Sequence, residues 1–305
     1  MFPAVDVDGF NLSPGGLTAA TDLPSARTDG WQCLTPPIVS HSPGHPSLWT
    51  RFIEDVPALL LRLVLDAPLE FIIFPQQKTV RAFWNSPECR WDDVISTFRG
   101  PGLGVALRHC GHVLLHAGAV EVGDAAMLVL GGSGAGKSTL LASLARQNLP
   151  LVCDDMALLV TRAKERPLLQ AHRTGLKLWP DSVAALGWSA TDWPSVHALT
   201  EKRQLSLGLS IERAAMPIGA LVVLATASPD KAGTIQRLNP ARSLPLLLEQ
   251  QYPPFLPVGR TERPHWFSDL TSLVDRVPVY LARRPGSFGG LKEFCAEIGR
   301  LPLAI

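Results

Sequence analysis

The sequence has few of the features that mark an extracellular, membrane-spanning or strongly charged protein. Its five cysteines are odd in number and have no C-x-x-C spacing, so neither a disulfide framework nor a zinc site is indicated. The densest apolar stretch, residues 56–74, is interrupted by Arg62, Asp66 and Glu70, which argues against a membrane-spanning helix. The amino terminus carries two acids where a signal peptide has a basic segment.

Charge is also nearly balanced, with 28 Lys and Arg against 27 Asp and Glu. A formal net charge of +1 provides no overall field that would attract nucleic acid or an anionic membrane. Together these features predict a reduced, cytoplasmic protein with no nucleic-acid partner and no membrane partner. The 46% of hydrophobic residues is ample for a packed core.

Composition divides the chain into three parts. Residues 1–48 are rich in Pro, Gly, Ser and Thr, which predicts an irregular lead-in. Residues 49–100 are expected to form a small α+β domain, in which the spacing of apolar residues predicts a helix over 49–64, followed by two strands. Residues 101–305 are expected to form a larger α/β domain.

A glycine-rich loop is the strongest signal in the sequence. Residues 131–138 read GGSGAGKS and match the pattern G-x-x-x-x-G-K-[ST], between an apolar strand-like run and a helix-like run. Glycines allow several backbone N–H groups to converge on a phosphate, and the helix that follows adds its positive end. The pattern therefore predicts that ATP is bound by Gly132, Ser133, Gly134, Ala135, Gly136, Lys137, Ser138 and Thr139. In this pattern Lys137 contacts the β- and γ-phosphates, and the Ser138 hydroxyl is a ligand of Mg²⁺.

Two adjacent acids end the next predicted strand, Leu151-Val152-Cys153-Asp154-Asp155, with Asp154 only 17 residues beyond Lys137. In transporter and motor ATPases the metal-binding acid usually lies much further along the chain. Neighbouring strand residues point to opposite faces, so both acids can face the phosphates only if the strand ends or bulges there. Two jobs are then available, one carboxylate holding Mg²⁺ and the other accepting the proton of an attacking hydroxyl.

His116, the glycine-rich loop and the paired acids resemble the core of the HPr kinase/phosphorylase family, which shares its fold with phosphoenolpyruvate carboxykinase. The intervals of 21 residues from His116 to Lys137 and 17 residues from Lys137 to the first acid agree with that family. The resemblance is most specific over residues 112–160. Beyond them the chain is similar, more weakly, to the HPr-kinase-related proteins of peptide-modifying gene clusters, including lasso peptide kinases.

The resemblance implies a fold and a set of roles. The larger domain would be a P-loop kinase domain of the HPr kinase/phosphoenolpyruvate carboxykinase type. Lys137 would hold the phosphates, Ser138 and Asp154 the metal, and Asp155 would be the catalytic base. His116 would lie beside the acids and help to set their charge.

Two departures from the family limit what can be transferred. Thr139 follows the loop serine where the bifunctional family has a glutamate, and the family's glycine-rich E-x-R-G-x-G segment is missing. Both argue against dephosphorylation by phosphate attack and against HPr as the substrate.

Basic residues after the acids are candidates for stabilising the transferring phosphoryl group: Arg173, Lys177, Lys202 and Arg203. Arginine suits this role because its planar guanidinium can pair with two oxygens at once. The pair Lys202-Arg203, just before a run of alternating leucines, is preferred. Each of these side chains also fits an ordinary solvated surface.

The sequence thus predicts an ATP-dependent kinase that phosphorylates a serine (or threonine) of a peptide or small protein. Two alternatives stay open: a kinase for a free small molecule bearing a hydroxyl, and a nucleotide-dependent binding or sensor protein with little turnover. The tryptophans at 179, 188 and 193 fit either a peptide groove or ordinary packing. The oligomeric state is open, a homo-oligomer included.

Overall fold

The computed structural model describes most of the chain, in these ranges: residues 4–17, 24, 30–34, 46–53, 55–64, 68–161, 165–170, 175–196, 201–205, 215–225, 233–285 and 288–304. The fold is mixed α/β with several sheets. The chain forms two units, the first comprising Met1–Gly111 with two short later segments (196–200 and 255–257), and the second comprising the remainder from His112 to Ile305. None of the described helices is long and apolar enough to cross a lipid bilayer.

The first unit contains a seven-stranded sheet in the order β1-β2-β7-β6-β5-β4-β3. Its strands are β1 Val5–Val7, β2 Phe10–Leu17, β3 Gln32–Cys33, β4 Ser47–Ile53, β5 Val56–Val64, β6 Pro68–Phe74 and β7 Thr79–Trp84. The helices that follow are α1 Trp91–Thr97, a π-helical turn Phe98–Gly102 and α2 Leu103–His109. Aromatic pairs join the helical part to the sheet, with ring centroids 5.5 Å apart for Phe71 and Phe98 and 5.9 Å apart for Trp84 and Trp91.

The helix predicted over residues 49–64 was wrong, because these residues form most of β4 and the whole of β5. Leu59, Leu60 and Leu61 are consecutive and all are buried, so both faces of β5 are covered. A strand buried on both faces reads as a continuous apolar run, and such a run also contains the spacing of an amphipathic helix. Strands β1 and β2 also lie in the stretch that was expected to be irregular.

The second unit is built on a nine-stranded sheet, with a separate two-stranded ribbon formed by β14 and β15. Its strands are β8 Val113–Leu115, β9 Ala117–Val122, β10 Ala125–Leu130, β11 Leu151–Cys153, β12 Ala157–Val160, β13 Leu168–Gln170, β14 Leu176–Leu178, β15 Arg203–Leu205, β16 Ala215–Ala225, β17 Thr234–Leu238 and β18 Val279–Arg283. Its helices are α3 Lys137–Ala145, α4 Pro180–Ala185, α5 Pro240–Leu248, α6 Arg263–Arg276 and α7 Leu291–Ile298.

The direction of the strands fixes where the functional residues meet. Strands β10, β16 and β18 are parallel to one another, and β9 is antiparallel to both β10 and β11. Consequently β11, β10, β16 and β18 all run in the same direction. Their carboxyl ends share one edge of the sheet, the edge at which open α/β sheets bind ligands.

Helices cover both faces of this sheet. Strand β10 is buried throughout, and its residues alternate between two apolar clusters. Leu128 belongs to the cluster that contains Trp266 and Leu270 of α6, whereas Val129 belongs to the cluster that contains Leu141 of α3 and residues of α7. The loop that follows β10 is therefore anchored in a core that is packed on both sides.

Candidate active site

The glycine-rich loop, residues 131–136, leaves the carboxyl end of β10 and leads into α3. Gly131 has a φ of 144° and Gly136 a φ of 95°, values that L side chains rarely adopt. A Cβ on Gly131 would lie 2.8 Å from the carbonyl oxygen of Leu224. Both glycines are therefore required by the path of the backbone, and this path lets α3 begin at Lys137.

Lys137 is buried at the start of α3, and its ammonium group lies within the loop. Its Nζ donates hydrogen bonds to the carbonyl oxygens of Gly131, at 2.7 Å, and Gly132, at 3.2 Å. Burial lowers the pKa of Lys137, while the charges of Asp155 and Asp154 act in the opposite direction. A cation held among backbone dipoles beside two acids is placed to bind an anion at the loop.

Asp154 lies directly after the end of β11 and is only 2% exposed. Its carboxylate oxygens accept a hydrogen bond from Ser138 Oγ, at 3.2 and 3.3 Å, and Oδ2 accepts another from the backbone N–H of Lys177, at 3.1 Å. Burial raises the pKa of Asp154 to about 7, with the charge of Asp155 as the second cause. A cation bound near the Asp154 carboxylate would favour its ionised form.

The carboxylate of Asp155 points away from that of Asp154, because the backbone of Asp155 has a φ of 65°. This left-handed conformation is tolerated by Asp and ends the strand, which is the condition that the sequence set for the two acids to act together. Its Oδ2 lies 3.6 Å from Nζ of Lys177, and the side chain is 36% exposed. Asp154 is thus buried against Ser138, whereas Asp155 is open to the cavity.

His116 lies between β8 and β9, and its ring stacks on Tyr252 with centroids 5.8 Å apart. Burial lowers the pKa of His116 to about 4, and the neighbouring charge of Lys137 contributes in the same direction. The imidazole is therefore neutral at pH 7. Within the described part of the chain, its Nδ1 is buried and has no hydrogen-bond partner.

These groups surround a cavity of about 310 Å³ in the second unit. His116, Lys137, Ser138 and Asp155 line it. The remaining lining residues come from the loop, α3, the β14–β15 region, β16 and the segments around α7: Ser133, Gly134, Gly136, Thr139, Leu140, Lys177, Leu178, Trp179, Ser182, Lys202, Leu224, Arg284, Leu291 and Phe294. The cavity is large enough for a small organic ligand.

The predicted basic residues that the structure describes do not all line the cavity. Lys202 lines the cavity, with its Nζ 5.2 Å from the centre of the Trp179 ring. Arg203, its predicted partner, is not among the lining residues, and its Nη1 donates to Ser195 Oγ at 3.3 Å. Arg173 lies outside the described residues. Lys177, which was a weaker candidate, contacts both acids.

Two residues at the loop had no signal in the sequence analysis. Gln250 accepts a hydrogen bond from the backbone N–H of Gly131 at its Oε1, at 3.0 Å. Arg284, directly after β18, donates from Nε to the carbonyl oxygen of Ala135 at 3.1 Å. Both lie more than a hundred residues from the loop in sequence, so only the fold brings them there.

The tryptophans differ in their surroundings. Trp188 and Trp193 pack edge to face, with centroids 6.3 Å apart, against one of the core clusters. Trp179 is 53% exposed and lines the cavity. Only Trp179 is therefore available to a ligand in this cavity.

The oxygen atoms of Ser138 and Asp154 suit Mg²⁺. They are hard ligands and already converge, with Ser138 Oγ 3.2 Å from Asp154 Oδ1. Within the described ranges, no group of three or more His, Cys, Asp and Glu side chains is arranged to hold a metal ion. Mg²⁺ typically needs only one or two carboxylates when phosphates complete its coordination.

Three comparisons with known proteins were made. No protein-family model matches this chain, and no curated protein matches it. Among solved structures, the HPr(Ser) kinase/phosphatase from Coxiella burnetii aligns with 15% identity over 41% of this chain and 76% of that chain, at a TM-score of 0.26. A likeness at this level identifies neither a family nor an activity.

Proposed function

We propose that this protein is an ATP-dependent kinase that transfers the γ-phosphoryl group to a serine (or threonine) hydroxyl of a peptide or small protein. The observation that carries this proposal is the meeting of Lys137, Ser138 and the two acids at one edge of the sheet. Asp155 lines the same cavity as the loop, and Asp154 bonds the first serine of α3. Phosphoryl transfer needs these groups: a phosphate-binding loop, a metal-binding carboxylate and a carboxylate that positions the nucleophile.

The nucleotide is assigned to the loop. Its triphosphate would accept hydrogen bonds from the backbone N–H groups of residues 132–138. The ammonium of Lys137 would exchange its hydrogen bonds to the carbonyls of Gly131 and Gly132 for contacts to the β- and γ-phosphates. Ser138 and Asp154 would hold Mg²⁺, which would offset the charge that develops on the phosphates. Binding of Mg²⁺ would also keep the buried carboxylate of Asp154 ionised.

The open carboxylate of Asp155 is assigned as the base. The acceptor hydroxyl gives its proton to Asp155 as its oxygen bonds to the γ-phosphorus, and the bond to the β–γ bridging oxygen breaks to release ADP. The ammonium of Lys177, 3.6 Å from Asp155, holds this carboxylate in place. The neutral ring of His116 adds no positive charge beside it.

An extended acceptor fits the surroundings of Asp155 better than a rigid one. Lys177 and Lys202 face the cavity from the β14–β15 ribbon, and Trp179 presents an exposed ring beside Lys202. An aromatic ring and a lysine at the cavity mouth are groups that contact a passing peptide. A flexible segment could bring one serine past them to Asp155.

The test is a transfer assay with Mg-ATP. The protein is incubated with synthetic serine- and threonine-containing peptides and with the peptides and small proteins encoded beside its gene. Free metabolites that bear a hydroxyl are tested in parallel, and each product is analysed by mass spectrometry. We expect one added phosphoryl group on a Ser or Thr side chain, lost in Asp155→Asn and retained in the exposed control Asp192→Asn. Transfer only to a free metabolite would favour the small-molecule kinase, and ATP binding without any transfer would favour the sensor.

A further inference from the structure

Arg284 lies at the opposite side of the site from the acids. It follows β18, and Asp154 follows β11, with β9, β10 and β16 between these two strands. At about 4.8 Å between neighbouring strands, the four intervals separate β11 from β18 by roughly 19 Å. The loop leaves β10, between the two. A ligand whose reacting phosphate lies beside Asp155 would therefore extend from the loop toward Arg284.

The Arg284 guanidinium is fixed against the loop. Its Nε donates to the carbonyl oxygen of Ala135 at 3.1 Å, and its Cζ lies 3.7 Å from the position a Cβ on Gly136 would take. A side chain at residue 136 would press on the guanidinium, with the nearest atom, Nε, at 3.1 Å. Because Gly136 has no side chain, there is room for the guanidinium beside the loop.

Apolar side chains share this end of the cavity with Arg284. They are Leu224 at the end of β16 and Leu291 and Phe294 of α7, and all three are buried. Contact with these apolar side chains would not stabilise a hydrated phosphate. A flat heteroaromatic ring is stabilised by both the apolar side chains and the guanidinium. One face of the ring buries apolar area, and the other stacks on the planar guanidinium.

We propose that Arg284, with Leu224, Leu291 and Phe294, forms the subsite for the base of the nucleotide. The base lies between the guanidinium and the apolar wall, while the triphosphate follows the loop toward Lys137. This proposal rests on the proposed nucleotide-binding function and deepens it by naming what distinguishes a nucleotide from a bare polyphosphate.

The test compares ATP with inorganic tripolyphosphate, each with Mg²⁺, by calorimetric titration of the full chain. The wild type is expected to bind ATP at least tenfold more tightly than tripolyphosphate, a difference of about 1.4 kcal/mol. Arg284→Met and Arg284→Lys, which both remove the planar cation, are expected to weaken ATP binding about tenfold and to change tripolyphosphate binding less than twofold. The matched control is Arg283→Met, since Arg283 is the exposed residue before it.

Each other outcome overturns the proposal in a distinguishable way. If the wild type binds both ligands equally, the base adds nothing to binding and there is no base subsite, whatever the variants do. If Arg284→Met weakens both ligands equally, Arg284 is a phosphate contact. If the wild type binds neither ligand, the nucleotide-binding function itself fails, and the base subsite fails with it.

Discussion

Replacing Asp154 with Asn should stabilise the protein in the absence of Mg²⁺, although Asp154 is proposed to be essential for activity. The carboxyl is 2% exposed, and burial with the nearby Asp155 charge raises its pKa to about 7. In the unfolded chain an Asp ionises near pH 3.9. Between about pH 4 and pH 7 the folded state therefore binds more protons than the unfolded state, so stability is lost as the pH rises.

The magnitude follows from the size of this shift. About three pKa units at about 1.4 kcal/mol each give an upper bound of about 4 kcal/mol, reached above pH 7. Asn removes the charge but brings an amide N–H that needs an acceptor, which costs part of the gain. We expect Asp154→Asn to raise the free energy of unfolding by about 1–3 kcal/mol at pH 8 and by clearly less at pH 5.

The assay is denaturant unfolding in EDTA at both pH values, with the exposed Asp192→Asn as the matched control. The control should change the free energy of unfolding by less than about 0.5 kcal/mol at either pH. An equal gain for Asp154→Asn at pH 5 and pH 8, or a loss at pH 8, would refute the assignment of Asp154 as a carboxyl whose charged form is disfavoured by burial.

Three further predictions concern the groups around the cavity. Asp155→Asn should bind Mg-ATP with nearly wild-type affinity in calorimetry. Its rate of phosphoryl transfer should fall by about a hundredfold or more, because the base acts only in the transition state. Equal transfer rates for the variant and the wild type would contradict the role of Asp155 as the base. His116→Gln should flatten the pH dependence of stability, because a folded-state pKa near 4 makes the wild type lose stability as the pH falls from about 6.5 to about 4. Denaturation should show that the variant gains about 1–2 kcal/mol in free energy of unfolding, relative to the wild type, between pH 7 and pH 5. No gain at pH 5 would contradict the lowered pKa. Trp179→Ala should raise the KM of a peptide acceptor several-fold without changing that of ATP, and an unchanged acceptor KM would remove Trp179 from the acceptor path.

Much of the site could be predicted because its signals are local in sequence. The loop needs glycines at fixed offsets, and the apolar strand-like run before it is β10, residues 125–130. The helix-like run after the loop is α3, residues 137–145. The strand predicted to end at the two acids is β11, residues 151–153, and the acids follow it directly.

The rest depends on contacts between distant parts of the chain. No helix was predicted over residues 263–276, where α6 lies. Gln250 and Arg284 reach the loop only through the order of the strands, and no local spacing marks them. Lys202 and Arg203 were preferred as a pair, but adjacent residues near a strand point in opposite directions, and of these two only Lys202 lines the cavity.

The most direct test of the central claim, that the loop is a nucleoside triphosphate site, is calorimetric titration of the wild type and of Lys137→Ala with Mg-ATP. The wild type is expected to show saturable binding, whereas Lys137→Ala should show a loss of at least tenfold in affinity, because the buried ammonium lies within the loop, 2.7 Å from the carbonyl oxygen of Gly131. Asp192→Asn should bind like the wild type. No saturable binding by a folded wild type, or equal affinities for the wild type and Lys137→Ala, would contradict the account.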